Sequence, residues 1–217
     1  TNYAFDKYLT KKATCKLESI TFQTTEKKTK QKSAEKSLEN AKIIGDAVAF
    51  GRDLVNEPPN VLFSTSYSKI IEKDVKNIKR VKFKALGKAD LKKEKMGMFL
   101  SVNAGSAHEP RLVHLTYAPA KLTKKTKHIA LVGKGLTFDT GGYSLKPGGS
   151  MMNMKYDMAG SATMYAAFRA AAMLQPNVKI TCILGMTDNA VNEHATMPDS
   201  IVTARNGKTV EILKNFA

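Results

Sequence analysis

The sequence predicts an α/β fold in which helices cover a mixed, mostly parallel β-sheet. Strand-like and helix-like patterns alternate from residue 79 to residue 213. In the middle of the chain, an apolar run at residues 129–133 passes into a glycine-rich loop and then into a small-residue helix at 159–174. Hydrophobic residues make up 42% of the 217 positions, which is enough for a sizeable core.

Hydrophobic periodicity places the elements that precede this central stretch. A helix over residues 33–55 carries small and apolar side chains at three- and four-residue steps, and Pro58 and Pro59 end it. Strands are predicted at 17–22, 81–86, 98–103 and 112–117, and further helices at 65–77 and 88–95.

Shorter elements follow the small-residue helix. A buried strand is predicted at 178–185, where Cys182 serves as a small hydrophobe. Residues 187–200 are predicted to form a loop. Strands at 201–204 and 209–213 flank Asn206 and Gly207, a dipeptide that is typical of β-hairpins.

Composition excludes several classes of protein. No run of about 18 apolar residues occurs, so no membrane span is expected. The two cysteines, Cys15 and Cys182, lie far apart in unlike contexts, which excludes a disulfide scaffold and favours a cytoplasmic location.

The net charge of +16 suggests nucleic acid or an acidic surface as a partner. The lysines are spread along the chain, however, and no helix-turn-helix, zinc-finger or RNA-recognition pattern accompanies them. This distribution favours a lysine-rich solvated surface over a dedicated nucleic-acid site.

The central stretch carries four charged residues, Lys134, Asp139, Lys146 and Asp157, among seven glycines of the chain's 14. Loops at the carboxyl ends of strands commonly bind ligands. The residues alone leave three interpretations open: a phosphate cradle, a divalent-metal site on Asp139 and Asp157, or a solvated loop. The match to a phosphate-binding P-loop is poor, because no Ser or Thr follows Gly-Lys.

The segments VGKGLTFDTGGYSLKP and MKYDMAGSA resemble the signature of the M17 leucine aminopeptidase (cytosol aminopeptidase) family. FDKY, RDLVNEPPN, VNAGSAHEPRLVHLTY and NGKTVEIL extend the resemblance over nearly all 217 residues. It implies that residues 1–32 are the remnant of an N-terminal domain and linker. Residues 33–217 would then be the N-terminal part of the metallopeptidase catalytic domain.

The resemblance also implies a function: a cytoplasmic, hexameric, metal-dependent aminopeptidase that releases N-terminal residues, preferably leucine, from peptides. Two divalent ions, Mn²⁺ or Zn²⁺, would bind the substrate and activate a bridging water. Some members of the family also bind DNA, which keeps nucleic acid as a further partner class.

Five residues match the family's functional positions. Lys134 resembles a lysine that binds one metal in its neutral form, which requires burial and the charge of the ions. Asp139 resembles the carboxylate that bridges both metals, and Asp157 a second ligand of the ion that Lys134 binds. Lys146 resembles the electrophilic lysine that stabilises the oxyanion. Met154 resembles a residue of the pocket for the substrate's first side chain.

The sequence departs from the family after VEIL. Family members continue with Asn-Thr-Asp-Ala-Glu-Gly-Arg, which supplies two metal ligands and an Arg that holds the bicarbonate base. Here Phe216 stands at the position of the ligand Asp, and the Glu and Arg have no counterpart. We therefore expect an incomplete second metal site and little or no peptidase activity from this chain alone. The alternatives are a catalytically inactive remnant or assembly subunit, and a basic DNA-binding protein.

Overall fold

The structure, a computed structural model, describes residues 3–12, 17–23 and 28–215. Cys15 and Phe216 lie outside the described residues. None of the helices in the described ranges combines the length and apolar character that a bilayer span requires.

A four-stranded sheet forms the centre of the fold. Its strands are β1 (Val81–Leu86), β2 (Arg111–Tyr117), β3 (His128–Asp139) and β4 (Lys179–Asn189). They lie in the order β1-β2-β4-β3. β3 and β4 are parallel, whereas β1 pairs with β2 and β2 with β4 in antiparallel fashion.

The predicted helix-covered mixed α/β sheet is confirmed, but only one of its three strand pairings is parallel. The prediction of a mostly parallel sheet is therefore corrected in this respect, because two of the three pairings are antiparallel. Neighbouring parallel strands need a long crossover, usually a helix. The crossover between β3 and β4 includes the helix Ala159–Leu174 and makes the parallel pair.

The helices lie mainly where periodicity predicted them. They are α1 (Lys28–Asn56), α2 (Ser64–Val75), α3 (Lys88–Lys93), α4 (Gly97–Asn103), α5 (Gly148–Met151) and α6 (Ala159–Leu174), together with a 3₁₀ helix at Met154–Met158. The bounds of β1 and α6 match the prediction, and α1 begins earlier than predicted. The predicted hairpin is confirmed by β5 (Ile201–Thr203), which pairs antiparallel with β6 (Thr209–Glu211).

Two strand predictions are wrong. Residues 98–103 belong to helix α4, whose Phe99 ring lies 3.6 Å from the position that a Cβ on Gly185 of β4 would occupy. Phe99 therefore packs on the sheet beside Gly185. Residues 17–23 form no strand, and Ile20 and Phe22 are exposed, because no neighbouring strand pairs with them within the described ranges.

The N-terminal segment lies against the end of α1. The Tyr8 hydroxyl donates to a Glu57 carboxylate oxygen at 2.5 Å, and Lys7 forms an ion pair with the same carboxylate. Tyr3 donates to Asp53 at 2.7 Å. The FDKY segment is therefore attached to the helix that leads into the rest of the fold.

The hydrophobic core occupies one face of the sheet. Side chains from β2 and β4, including Leu115 and Leu184, are fully buried against Tyr67 of α2 and Phe168 of α6. Cys182 is buried there too, as predicted. The opposite face of the sheet is covered at one end by α4 and carries exposed side chains at the other.

Candidate functional site

The site forms where the end of β3 meets the 3₁₀ helix and the start of α6. A Cβ placed on Gly133 would lie 2.5 Å from the Ser161 Cα, so the backbones of β3 and α6 touch. Only glycine permits such a close approach. This contact brings Lys134 of β3 beside Asp157 of the 3₁₀ helix.

β3 is longer than the predicted strand at residues 129–133 and continues to Asp139. Lys134 and Asp139 therefore lie on the strand rather than on the loop where they were expected. The strand fixes their backbones, and the loop that follows carries Lys146 back toward them. The backbone N–H of Lys146 donates to the Thr140 carbonyl oxygen at 2.9 Å.

Three of the five predicted site residues meet around the Lys146 amine. Lys146 Nζ forms a short ion pair with Asp139 Oδ2 and also contacts the Asp139 backbone oxygen at 3.3 Å. It lies 3.2 Å from the Met154 sulfur. The Asp139 side chain is fully buried and that of Lys146 is 14% exposed, so water screens this pair weakly.

The second carboxylate oxygen of Asp139 is also bound. The backbone N–H of Gly141 donates to Oδ1 at 2.9 Å, and the Asn189 side-chain amide donates at 2.8 Å. Burial by itself would raise the pKa of Asp139, but the hydrogen bonds from Lys146, Gly141 and Asn189 hold that pKa below its ordinary value. Asp139 is therefore an ionised carboxylate inside the fold.

Lys134 and Asp157 form a second pair, with 3.2 Å between Nζ and Oδ1. Burial raises the pKa of Asp157, and the pairing with Lys134 offsets only part of that effect. The Lys134 side chain is 46% exposed. The burial expected around a neutral, metal-binding lysine is therefore not provided by the described residues.

Asn189 and Asn215 are the site residues that sequence reasoning missed. Asn189 donates to Asp139 and also to the Asn215 backbone oxygen at 2.9 Å. Within the part of the chain that the structure describes, the buried Oδ1 of Asn215 accepts no hydrogen bond. Asn189 lies at the carboxyl end of a buried strand, the same position that singled out the central loop. That rule could have identified it.

The donor atoms at this site are of the types that bind a divalent ion, and there are enough of them for one ion. Asp139 and Asp157 supply carboxylates and Lys134 an amine, all within one cluster. Within residues 3–12, 17–23 and 28–215, no three His, Cys, Asp or Glu side chains gather as a metal-binding group.

Comparison with known proteins points to one family. The sequence profile of the cytosol aminopeptidase family, catalytic domain, matches residues 49–215. A probable cytosol aminopeptidase of Wolbachia pipientis is 38% identical over 218 aligned positions, covering 100% of this chain and 43% of that protein. One from Metamycoplasma salivarium is 45% identical over 177 positions, covering 81% of this chain and 33% of that protein.

Solved structures lead to the same family. Leucyl aminopeptidase from Trypanosoma cruzi superposes with a TM-score of 0.77 at 32% identity, covering 82% of this chain and 34% of that chain. The Trypanosoma brucei enzyme in complex with bestatin gives 0.77 at 31% identity, with the same coverage. The chain thus spans less than half the length of these relatives. By its profile match and its fold, the chain belongs to the cytosol aminopeptidase family.

Proposed function

We propose that this chain forms the N-terminal part of the catalytic domain of a metal-dependent aminopeptidase, preceded by a remnant of an N-terminal domain at residues 1–32. The substrates are peptides, from which N-terminal residues, preferably leucine, are released. The observation that carries the proposal is the contact of Lys146 with both Asp139 and Met154. We also infer a cytoplasmic location and assembly into a hexamer, by analogy with the family.

Lys134, Asp139 and Asp157 would hold the metal. Carboxylate oxygens suit hard divalent ions. Asp157 is paired with Lys134 and Asp139 with Lys146, and a metal ion would replace the lysine as the partner of each carboxylate. Of the two Mn²⁺ or Zn²⁺ ions that the family resemblance implies, these residues would hold one, and the second site is expected to be incomplete in this chain. Bound ions would supply Lewis-acid polarisation of the peptide carbonyl and a water of lowered pKa.

Lys146 is the catalytic residue. Its amine holds Asp139 in this structure. If Asp139 held a metal, the Lys146 amine would be free at the same place to donate to the carbonyl oxygen of the substrate as negative charge develops. The thioether of Met154 beside it supplies apolar, adaptable surface for a leucine side chain.

A second candidate is a catalytically inactive assembly subunit. It is favoured by the closed Lys146–Asp139 pair, in which both carboxylate oxygens of Asp139 are already bonded. The two candidates differ in whether a metal can compete for Asp139. A DNA-binding role has only the net charge of +16 in its support.

Hydrolysis of a leucyl chromogenic amide, with and without Mn²⁺, tests the proposal. Any metal-dependent turnover, however small, should require Lys146, so Lys146→Ala should abolish it while Lys127→Ala, at an exposed lysine, should leave it intact. Calorimetric titration of Mn²⁺ gives an independent readout, and Asp157→Asn should weaken binding. A folded chain that neither binds Mn²⁺ nor turns over would establish the inactive subunit.

A further inference from the structure

The 3₁₀ helix carries two of the predicted site residues on one side. Such a helix has three residues per turn, so Met154 and Asp157, three positions apart, lie on the same face. Asp157 pairs there with Lys134 at 3.2 Å. Met154 lies against the Lys146 amine. Lys155 directly follows Met154, so its side chain leaves the helix in a different direction.

Lys155 joins the 3₁₀ helix to the end of α1. Its Nζ donates to the backbone oxygen of Asn56, the last residue of α1, at 2.8 Å. The ammonium also lies 5.2 Å from the centroid of the Tyr156 ring. The bond is partly buried, so water screens it less than it screens a surface contact. Lys155 therefore connects two elements that are far apart along the chain.

The end of α1 is suited to a cation from elsewhere in the chain. The last carbonyls of a helix have no intrahelical donor, and the partial negative charge there favours a positive group. α1 has no basic residue in its last turn. Pro58 and Pro59 follow it, and proline has no N–H to donate. Lys155 supplies both a donor to the Asn56 oxygen and a positive charge at this end.

The N-terminal segment holds the same end of α1. The Tyr3 hydroxyl accepts from the Asn56 side-chain amide at 3.2 Å. Lys7 pairs with Glu57, the residue that follows α1, at 2.5 Å. The carbonyl to which Lys155 donates therefore belongs to a backbone that is attached on both sides of the helix end.

We propose that Lys155 is a positioning residue of the candidate active site. By holding the 3₁₀ helix against the end of α1, it keeps Asp157 and Met154 where they contact the two lysines of the site. The importance of Lys155 for metal binding rests on the proposed function. Its effect on the 3₁₀ helix does not.

A stabilising cap on α1 is the competing interpretation, and variants at this one helix end separate the two roles. Lys155→Met removes the charge and the donor but keeps an apolar side chain of similar length. Lys7→Met makes the same change beside Glu57, to which Tyr8 still donates, and leaves the 3₁₀ helix untouched. Lys155→Arg keeps a cationic donor and should restore what Lys155→Met loses.

Hydrogen exchange of the metal-free chain, measured by mass spectrometry, tests the position of the 3₁₀ helix. Lys155→Met should speed exchange of a peptide spanning residues 153–159 about ten-fold, because a hydrogen bond from a charged donor is lost. Lys7→Met should change it less than about two-fold. An unchanged rate in Lys155→Met, an equal increase in Lys7→Met, or an equal increase in a peptide from β4 would overturn the proposal.

Calorimetric titration of Mn²⁺ tests the consequence for the site. Lys155→Met should weaken binding about ten-fold, whereas Lys7→Met and Lys155→Arg should stay within about two-fold of the unaltered chain. If the unaltered chain binds no Mn²⁺, the proposed function fails and the exchange rates alone decide the role of Lys155. If the unaltered chain and Lys155→Met bind Mn²⁺ equally, the positioning role is overturned and the proposed function stands. Lys155→Gln replaces Lys155→Met if circular dichroism shows that the latter unfolds.

Discussion

The Asn189 side-chain amide donates to Asp139 Oδ1 at 2.8 Å, and the two residues are register partners at the carboxyl ends of β4 and β3. The same amide donates to the Asn215 backbone oxygen at 2.9 Å. Asn189 therefore joins the buried carboxylate of the candidate site to the last described segment of the chain. A substitution that removes this amide should therefore disturb both Asp139 and the segment around Asn215.

Asn189→Asp should destabilise the fold by about 3 kcal/mol at pH 7, because it places a second carboxylate against the ionised Asp139 and removes two donors. Asn206→Asp is the matched control. Asn206 is exposed in the hairpin turn, and its oxygen accepts from the Lys208 backbone N–H, which a carboxylate can do equally well. Urea unfolding measures both; equal stabilities would show that the Asn189 contact contributes little.

Lys146→Met should leave Asp139 as a buried, unpaired carboxylate and cost about 3 kcal/mol at pH 7. In the native chain, the lowered pKa of Asp139 contributes stability above the ordinary value of 3.8, and this contribution is lost as the pH falls through the lower, folded-state pKa. In the variant, burial without Lys146 favours the protonated acid.

The deficit of Lys146→Met should therefore shrink as the pH is lowered from 7 toward 4, in chemical unfolding measured at each pH. Lys127→Met, at an exposed position, should change stability by less than about 0.5 kcal/mol at either pH. A deficit that does not change with pH would contradict the assignment of the effect to Asp139.

Gly133→Ala should destabilise the fold by about 2 kcal/mol, since the new Cβ would lie 2.5 Å from the Ser161 Cα and 3.1 Å from the Gly160 oxygen. Both neighbours are backbone atoms that cannot rotate away. At Gly149, a Cβ would meet nothing within 4 Å, so Gly149→Ala serves as the control and should be neutral. Thermal unfolding that ranks the two variants equally would show that β3 and α6 can move apart.

Cys182 should resist alkylation in the native chain. Burial raises the pKa of its thiol to about 12, so at pH 8.5 almost no thiolate forms in the folded state. Iodoacetamide followed by peptide mass mapping should show Cys182 unmodified in buffer and modified in urea. As the pH rises from the ordinary value of 9.0 toward 12, the folded state loses stability relative to the unfolded state, because only unfolded Cys182 ionises.

Local patterns predicted most of the elements. The bounds of β1 and α6 and the β5–β6 hairpin follow from periodicity and turn residues, which act over a few neighbouring positions. The same reasoning failed at residues 98–103. There the segment forms a helix whose Phe99 packs beside Gly185, far along the chain, and no local pattern encodes that contact.

The candidate site divides in the same way. By itself, the sequence determined the family and which lysines and carboxylates form the candidate set, because a motif is a property of neighbouring residues. Only the tertiary structure decided that Lys146 closes on Asp139, and that Asn189, 50 positions away, holds the other oxygen. The strand order was decided there as well, because contacts between distant segments set it and no local pattern encodes such contacts.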